Sequence, residues 1–236
     1  MKRTTRILIL AGMVVLLLLF AAAWVILRPA RLTLPRLTRL REFFNSEGEH
    51  PDWRIQAGDQ CENAPFQFPT SGYVGFYWGD SFRPPLRHTG LDIFGGTEPG
   101  TTRVFAAYSG YLTRLPDWKS TVIIRIPSDP LNPGRQIWTY YTHMADLEGN
   151  SFIDEAFPTG TAEKWVEVGT LLGKMGNYSG SPGNPTGVHL HFSIVLDDGA
   201  GKFRDERVLN NTLDPSPYFG RSFDYTHDPG AIAPCR

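Results

Sequence analysis

The chain has 236 residues, 41% hydrophobic and 13% aromatic, with 24 glycines and 19 prolines, which places it among ordinary globular proteins with apolar material for one sizeable domain. Its formal net charge of −1 is unevenly spread: the first acidic residue is Glu42, and taking away the eight Lys and Arg before it from 23 leaves 15 basic against 24 acidic residues, a net charge of −9. A remainder this acidic argues against a nucleic-acid partner.

Residues 7–27 contain no charged side chain and match the length needed to cross about 30 Å of hydrocarbon. Lys2, Arg3 and Arg6 precede the run, as for a cytoplasmic amino end. Residues 1–28 are therefore expected to form a stub and a transmembrane helix in contact with membrane lipid, with the rest of the chain on the extracytoplasmic side of the cell membrane. A cleaved signal peptide ending near Ala21-Ala22-Ala23, and hence a secreted protein, is the alternative; the apolar run continues through Trp24 to Leu27, which favours the retained anchor. Arg28, Arg31, Arg36, Arg39 and Arg41 follow the run and on a simple count would reverse its orientation, but large domains are translocated largely regardless of charge. Residues 29–60 read as a basic juxtamembrane arm and linker, lying on anionic headgroups or solvated. Leu37, Leu40 and Phe44 there permit a short amphipathic helix.

Cys61 and Cys235 are the two cysteines and bracket the remaining sequence, so they form either a disulfide tying its ends together or two free thiols. No Cys-x-x-Cys is present to suggest a cysteine zinc site. Residues 61–220 carry short β-branched and aromatic runs at 72–78, 104–107, 111–115, 121–126, 136–143, 165–168, 170–175 and 187–196, with no long segment of helical period. The fold class is all-β, antiparallel sheets around an open cleft, with residues 221–236 as a tail. Residues 128–135 read as a hairpin loop, and 177–185 as a flexible wall able to meet an extended peptide.

The chemistry gathers on histidines. In the strand-like run 186–192, His189 and His191 alternate with Val188, Leu190 and Phe192, so both imidazoles share a face about 7 Å apart. A hundred residues upstream, His88 and Asp92 stand four apart; a straight strand would separate them by about 13 Å, and a bend at Thr89-Gly90 would bring them onto one ion. Between these pairs, His143 ends the run Trp138-Thr-Tyr-Tyr-Thr-His. Strand geometry allows both His189 and His191 to ligate, so it does not by itself divide ligands from catalysts.

These motifs, together with residues 104–110, Gly169-Thr-Leu-Leu-Gly-Lys-Met-Gly176 and the closing Leu213-Asp-Pro-Ser-Pro-Tyr-Phe219, give the chain a resemblance to the lysostaphin-type (LytM-like) zinc metallopeptidases over roughly residues 68–220. The resemblance implies one Zn²⁺ per domain, held by His88, Asp92 and His191, with His143 and His189 as the catalytic pair and peptidoglycan peptides as substrate. Tyr141, Asn177 and Ser179 are expected near the substrate. The segment 146–164 departs from the family pattern and reads as an inserted loop at the cleft rim. It is the feature that favours the competing reading, an anchored non-enzymatic regulator or scaffold that binds a cell-wall hydrolase.

Overall fold

The computed structural model describes residues 3–46, 50–80, 86–223 and 230–235, and for residues 3–11 and 25–35 of the first helix the backbone alone. Helix α1 (Arg3–Asn45) is followed by a 3-10 turn (Pro51–Trp53) and twelve strands. These are β1 (Arg54–Ile55), β2 (Gly72–Phe76), β3 (Leu91–Phe94), β4 (Arg103–Phe105), β5 (Gly110–Thr113), β6 (Val122–Ile126), β7 (Ile137–Thr142), β8 (Lys164–Val166), β9 (Leu171–Lys174), β10 (Gly176–Tyr178), β11 (Pro185–Leu196) and β12 (Thr212–Leu213). A short helix α2 (Ser216–Phe219) follows. Ten strands form one antiparallel sheet in the order β1-β2-β3-β11-β7-β6-β5-β8, with β10 and β12 also on β11, while β4 and β9 make a separate pair. The all-β reading of the domain therefore holds.

Strand β11 is the axis of this sheet, because its period-two pattern serves two purposes at once. Leu190, Phe192 and Ile194 are fully buried in a core shared with Leu91, Ile93, Tyr141 and Phe219, and burying each such side chain stabilises the fold by about 1.5–3 kcal/mol. The alternate positions, His189 and His191, face the other way. Strand β3 was not among the expected strands: its four residues are all buried, so no alternation marks it. It lies beside β11 because Gly90 lets the chain close in; a Cβ there would sit 2.1 Å from the carbonyl oxygen of Phe192.

The arm expected over residues 29–60 is packed from Arg36 onward. Arg36, Leu40 and Phe43, spaced along one helical face, are buried. Leu40 and Phe43 join Trp53, Tyr73, Phe76 and Phe94 in a cluster on the flank of β2 and β3. The buried face is thus rotated from the expected one of Leu37, Leu40 and Phe44, for Leu37 and Phe44 stay exposed. Ile55 lies in the main core, and β1 pairs with β2. Among the described residues no helix is long and apolar enough to cross a membrane; of the apolar run 7–27, the side chains described are those of residues 12–24, all exposed. His227 lies outside the described residues, whereas His50 stacks on Trp53 at 3.7 Å.

Cys61 and Cys235 form a disulfide with Cα atoms 5.7 Å apart, which decides between the two alternatives for them. The segment 146–164, expected as an inserted loop at the cleft rim, is held to the core. Ile153 and Phe157 anchor it in the core, the Phe157 carbonyl accepts a hydrogen bond from buried Arg114, and its Ile153 bridges to Gly173. Its first residues border the cleft wall, the Leu147 carbonyl accepting from the Gly183 amide at 3.2 Å.

Candidate metal centre

Three side chains from two neighbouring strands and the bend before one of them converge on a point. His191 of β11 pairs directly with Asp92 of β3 in the sheet register, so cross-strand geometry sets these two side by side. His88 enters from the bend ahead of β3. Its Nε2 lies 3.0 Å from Asp92 Oδ1 and 3.0 Å from His191 Nδ1, and His191 Nδ1 lies 2.8 Å from Asp92 Oδ1. His88 Nδ1 donates to the Tyr77 carbonyl at 3.1 Å, which turns the Nε2 lone pair toward the other two atoms.

Three electron-rich atoms this close require a positive centre among them. In the ion-free protein a proton on His191 supplies it. Burial works against that proton, but the carboxylates of Glu206 and Asp92 raise the His191 pKa to about 10. Burial likewise opposes ionisation of Asp92, yet His88, His189 and His191 hold its pKa well below the usual carboxylate range. A divalent cation satisfies the same three atoms, and tetrahedral bonds near ~2 Å would space them about 3.3 Å apart, close to what is seen. Two imidazoles and one carboxylate form a donor set suited to zinc with a fourth position left open.

Glu206 was not anticipated from the sequence. Its Oε1 accepts from His191 Nε2 at 2.8 Å, from Thr89 Oγ1 at 2.6 Å and from Ser193 Oγ at 3.0 Å. Burial opposes its charge, but His191 and these donors bring its pKa down to about 2. The carboxylate keeps Nε2 of His191 protonated and aims Nδ1 at the centre, the arrangement that orients metal-binding imidazoles generally. Nothing in the polar run 197–208 distinguished this glutamate from its neighbours.

His143 and His189 stand beside the centre, their rings 4.5 Å apart. His189 donates its Nδ1 proton to the Gly187 carbonyl at 2.7 Å, and His143 donates its own to the Tyr178 carbonyl at 2.7 Å. In each ring Nε2 therefore keeps a lone pair; that of His189 lies 3.5 Å from Asp92. Burial, then the neighbouring imidazoles, lowers His143 to about 3. His189 is also lowered, by burial first, against the pull of Asp92. Both rings are neutral at physiological pH. Phe94 stacks on His189 at 4.9 Å and fixes its plane, and His143 is set apart from β7 by a left-handed backbone, φ 73°.

The centre opens onto a cleft of about 310 Å³ whose walls include Thr121, Tyr140, Thr142, Ser179 and Arg207. No residue of 146–164 lines it. Ser179 lines the cleft; Asn177 is not among the lining residues, its amide oxygen being buried without a partner. Tyr141 is a correction. The left-handed step at His143 breaks the alternation that linked the two, so Tyr141 points into the core, where its hydroxyl accepts from the Ala107 amide at 2.9 Å. Arg87 donates to the Gly79 carbonyl at 2.7 Å. A larger cavity of about 500 Å³ between Tyr108, Tyr111 and Trp165 has no acid, histidine or cysteine in its wall.

No family model matches the chain, and no curated protein matches it. Among solved structures it is similar to a Pseudomonas aeruginosa protein described as an M23 peptidase, with 22% identity, 79% of this chain and 62% of that one covered, and a TM-score of 0.37. It is also similar to lysostaphin, with 22% identity, coverage of 62% and 49%, and a TM-score of 0.39. A Ruminococcus gnavus protein described as a glycyl-glycine endopeptidase gives 24% identity, coverage of 55% and 45%, and a TM-score of 0.37. The chain spans less than two thirds of the length of each of these structures.

Proposed function

We propose that the chain is a zinc metallo-endopeptidase that hydrolyses peptide bonds in peptidoglycan, held at the cell membrane by its uncharged run 7–27 with its domain on the extracytoplasmic side. The observation that carries the reading is the convergence of His88 Nε2, Asp92 Oδ1 and His191 Nδ1 beside the paired rings of His143 and His189, with His143 and His191 in the wall of an open cleft. The substrate class follows from the order of motifs that makes the chain resemble the lysostaphin-type peptidases. The anchor is supported by the uncharged run 7–27, and the extracytoplasmic side by a disulfide, which persists in oxidising compartments. The regulator reading is weakened, because Ile153 and Phe157 anchor the segment 146–164 in the core and none of its residues lines the cleft.

In this mechanism His88, Asp92 and His191 hold the ion, and Glu206 keeps His191 in the tautomer that can ligate. When bound, zinc lowers the pKa of a coordinated water toward about 7 and polarises the scissile carbonyl. The lone pairs on Nε2 of His143 and His189 supply general-base and general-acid positions: one ring takes the proton of the attacking water, and the other, once protonated, stabilises the oxyanion or serves the leaving amine. Their depressed pKa values keep both free to accept at neutral pH.

The test is release of new amino groups from purified peptidoglycan by the full chain in detergent, with and without a chelator, beside His189→Ala. Chelator-sensitive release that vanishes in the variant supports the reading. Stoichiometric zinc with no release from any wall tested overturns it.

A further inference from the structure

We propose that Arg36, on the helix ahead of the domain, is a positioning residue for the metal ligand His88, acting through the turn at residues 77–80. The inference rests on the reading of His88 as a ligand. Every polar group of His88 that does not face the centre ends on that turn. Its amide donates to the Asp80 carbonyl at 2.8 Å, its carbonyl accepts from the Gly79 amide at 2.8 Å, and its Nδ1 donates to the Tyr77 carbonyl at 3.1 Å. The aim of Nε2 is thus only as fixed as the turn.

The turn is closed by Asp80, whose amide donates to the Tyr77 carbonyl at 3.1 Å while its carboxylate accepts from the Tyr77 amide at 3.2 Å. Arg36 grips both of its ends. It pairs with Oδ1 of Asp80, and its guanidinium lies 4.7 Å from the centre of the Tyr77 ring. Both charged groups are buried, at 2% and 0% exposure. Leu40 and Phe43 give the helix an apolar docking face of its own. A buried ion pair seldom adds net stability over apolar packing, whereas removing one partner strands a charge in the interior. What the pair provides here is geometry. Without Arg36 the Asp80 carboxylate must turn toward water or take up a proton, the Tyr77 amide loses its acceptor, and the carbonyl that orients His88 is released.

The full chain in detergent is titrated with zinc against a chromogenic chelator, and thermal unfolding of the metal-free form is followed in parallel. Arg36→Ala is expected to raise the zinc Kd at least about tenfold, the scale on which outer partners of ligands act, while Arg36→Lys recovers most of it. Leu40→Ala, which loosens the helix without touching the turn, lowers the unfolding midpoint and leaves Kd within about twofold. An Arg36→Ala protein that is folded and binds zinc within about twofold of wild type overturns the proposal, as does a Leu40→Ala loss equal to that of Arg36→Ala. Should Arg36→Ala fail to fold, the double variant Arg36→Ala/Asp80→Ala leaves no stranded charge and must show the same tenfold loss. A wild-type chain that binds no zinc refutes the metal reading itself, a different outcome from wild-type binding that Arg36 does not influence.

Discussion

Nε2 of His191 lies 2.8 Å from Oε1 of Glu206, while the same ring's Nδ1 lies 2.8 Å from Asp92. One imidazole is thus held between two carboxylates, one at the centre and one behind it.

Glu206→Gln keeps an oxygen near His191 Nε2 but removes the charge, and Glu206→Ala removes both. Zinc affinity should fall about tenfold in the first and toward a hundredfold in the second, measured by chelator competition. Unchanged affinity in Glu206→Ala would show that Thr89, Ser193 and the sheet fix His191 without it.

Zinc must displace the proton that His191 carries below a pKa of about 10. Protonated imidazole cannot ligate at Nδ1, so the protonated form competes with the ion at every pH below that value. Asp92 is already ionised there and contributes no proton. Apparent affinity should therefore rise about tenfold per pH unit from about pH 7.5 to 9, with about one proton released per ion. Calorimetry in two buffers of different ionisation enthalpy reads that proton directly. His143, at about 3, does not titrate in this window.

His191→Ala should lose both zinc and hydrolysis. His143→Ala and His189→Ala should each keep zinc and lose about 10²–10⁴ in kcat, the range for a positioned acid or base. Metal analysis beside the wall-hydrolysis assay separates the two outcomes, and equal zinc loss in all three would dissolve the division between ligand and catalyst.

The Cys61–Cys235 disulfide closes a loop spanning 174 residues of sequence. In the chain-entropy model such a link contributes about 5 kcal/mol, less any native strain. Cys61→Ser/Cys235→Ser should lower the urea midpoint while leaving zinc affinity unchanged, because the bond lies at the ends of the domain and touches none of the ligands.

The legible part of the site was the part written in alternation. Strand β11 is long enough for Leu190 and Phe192 to declare the core face and so to place His189 and His191 opposite. Strand β3 is four residues, all buried, and no pattern marks it; the meeting of His88 with Asp92 came into view only as a bend permitted by Gly90. Tyr141 was misplaced because His143 leaves its strand through a positive φ that the alternation rule does not anticipate. Glu206 was invisible for another reason: a carboxylate in a polar loop looks solvated until the fold sets three donors around it. The buried face of α1 was misjudged because a search for apolar spacing passes over arginine, and Arg36 is buried in a pair with Asp80, 44 residues later.

Strand β11 draws partners from β3, β7, β10 and β12, so its neighbours in space are scattered along the sequence. Synthesis runs the other way, delivering His88 and Asp92 about a hundred residues ahead of His191, and Glu206 later still. Long-range pairings of this kind form late and slowly. Until His191 has emerged and the sheet has closed around β11, the chain holds only His88 and Asp92, so a partly synthesised copy is a poor competitor for a divalent cation. Closure of the His88, Asp92 and His191 cluster therefore coincides with completion of the sheet.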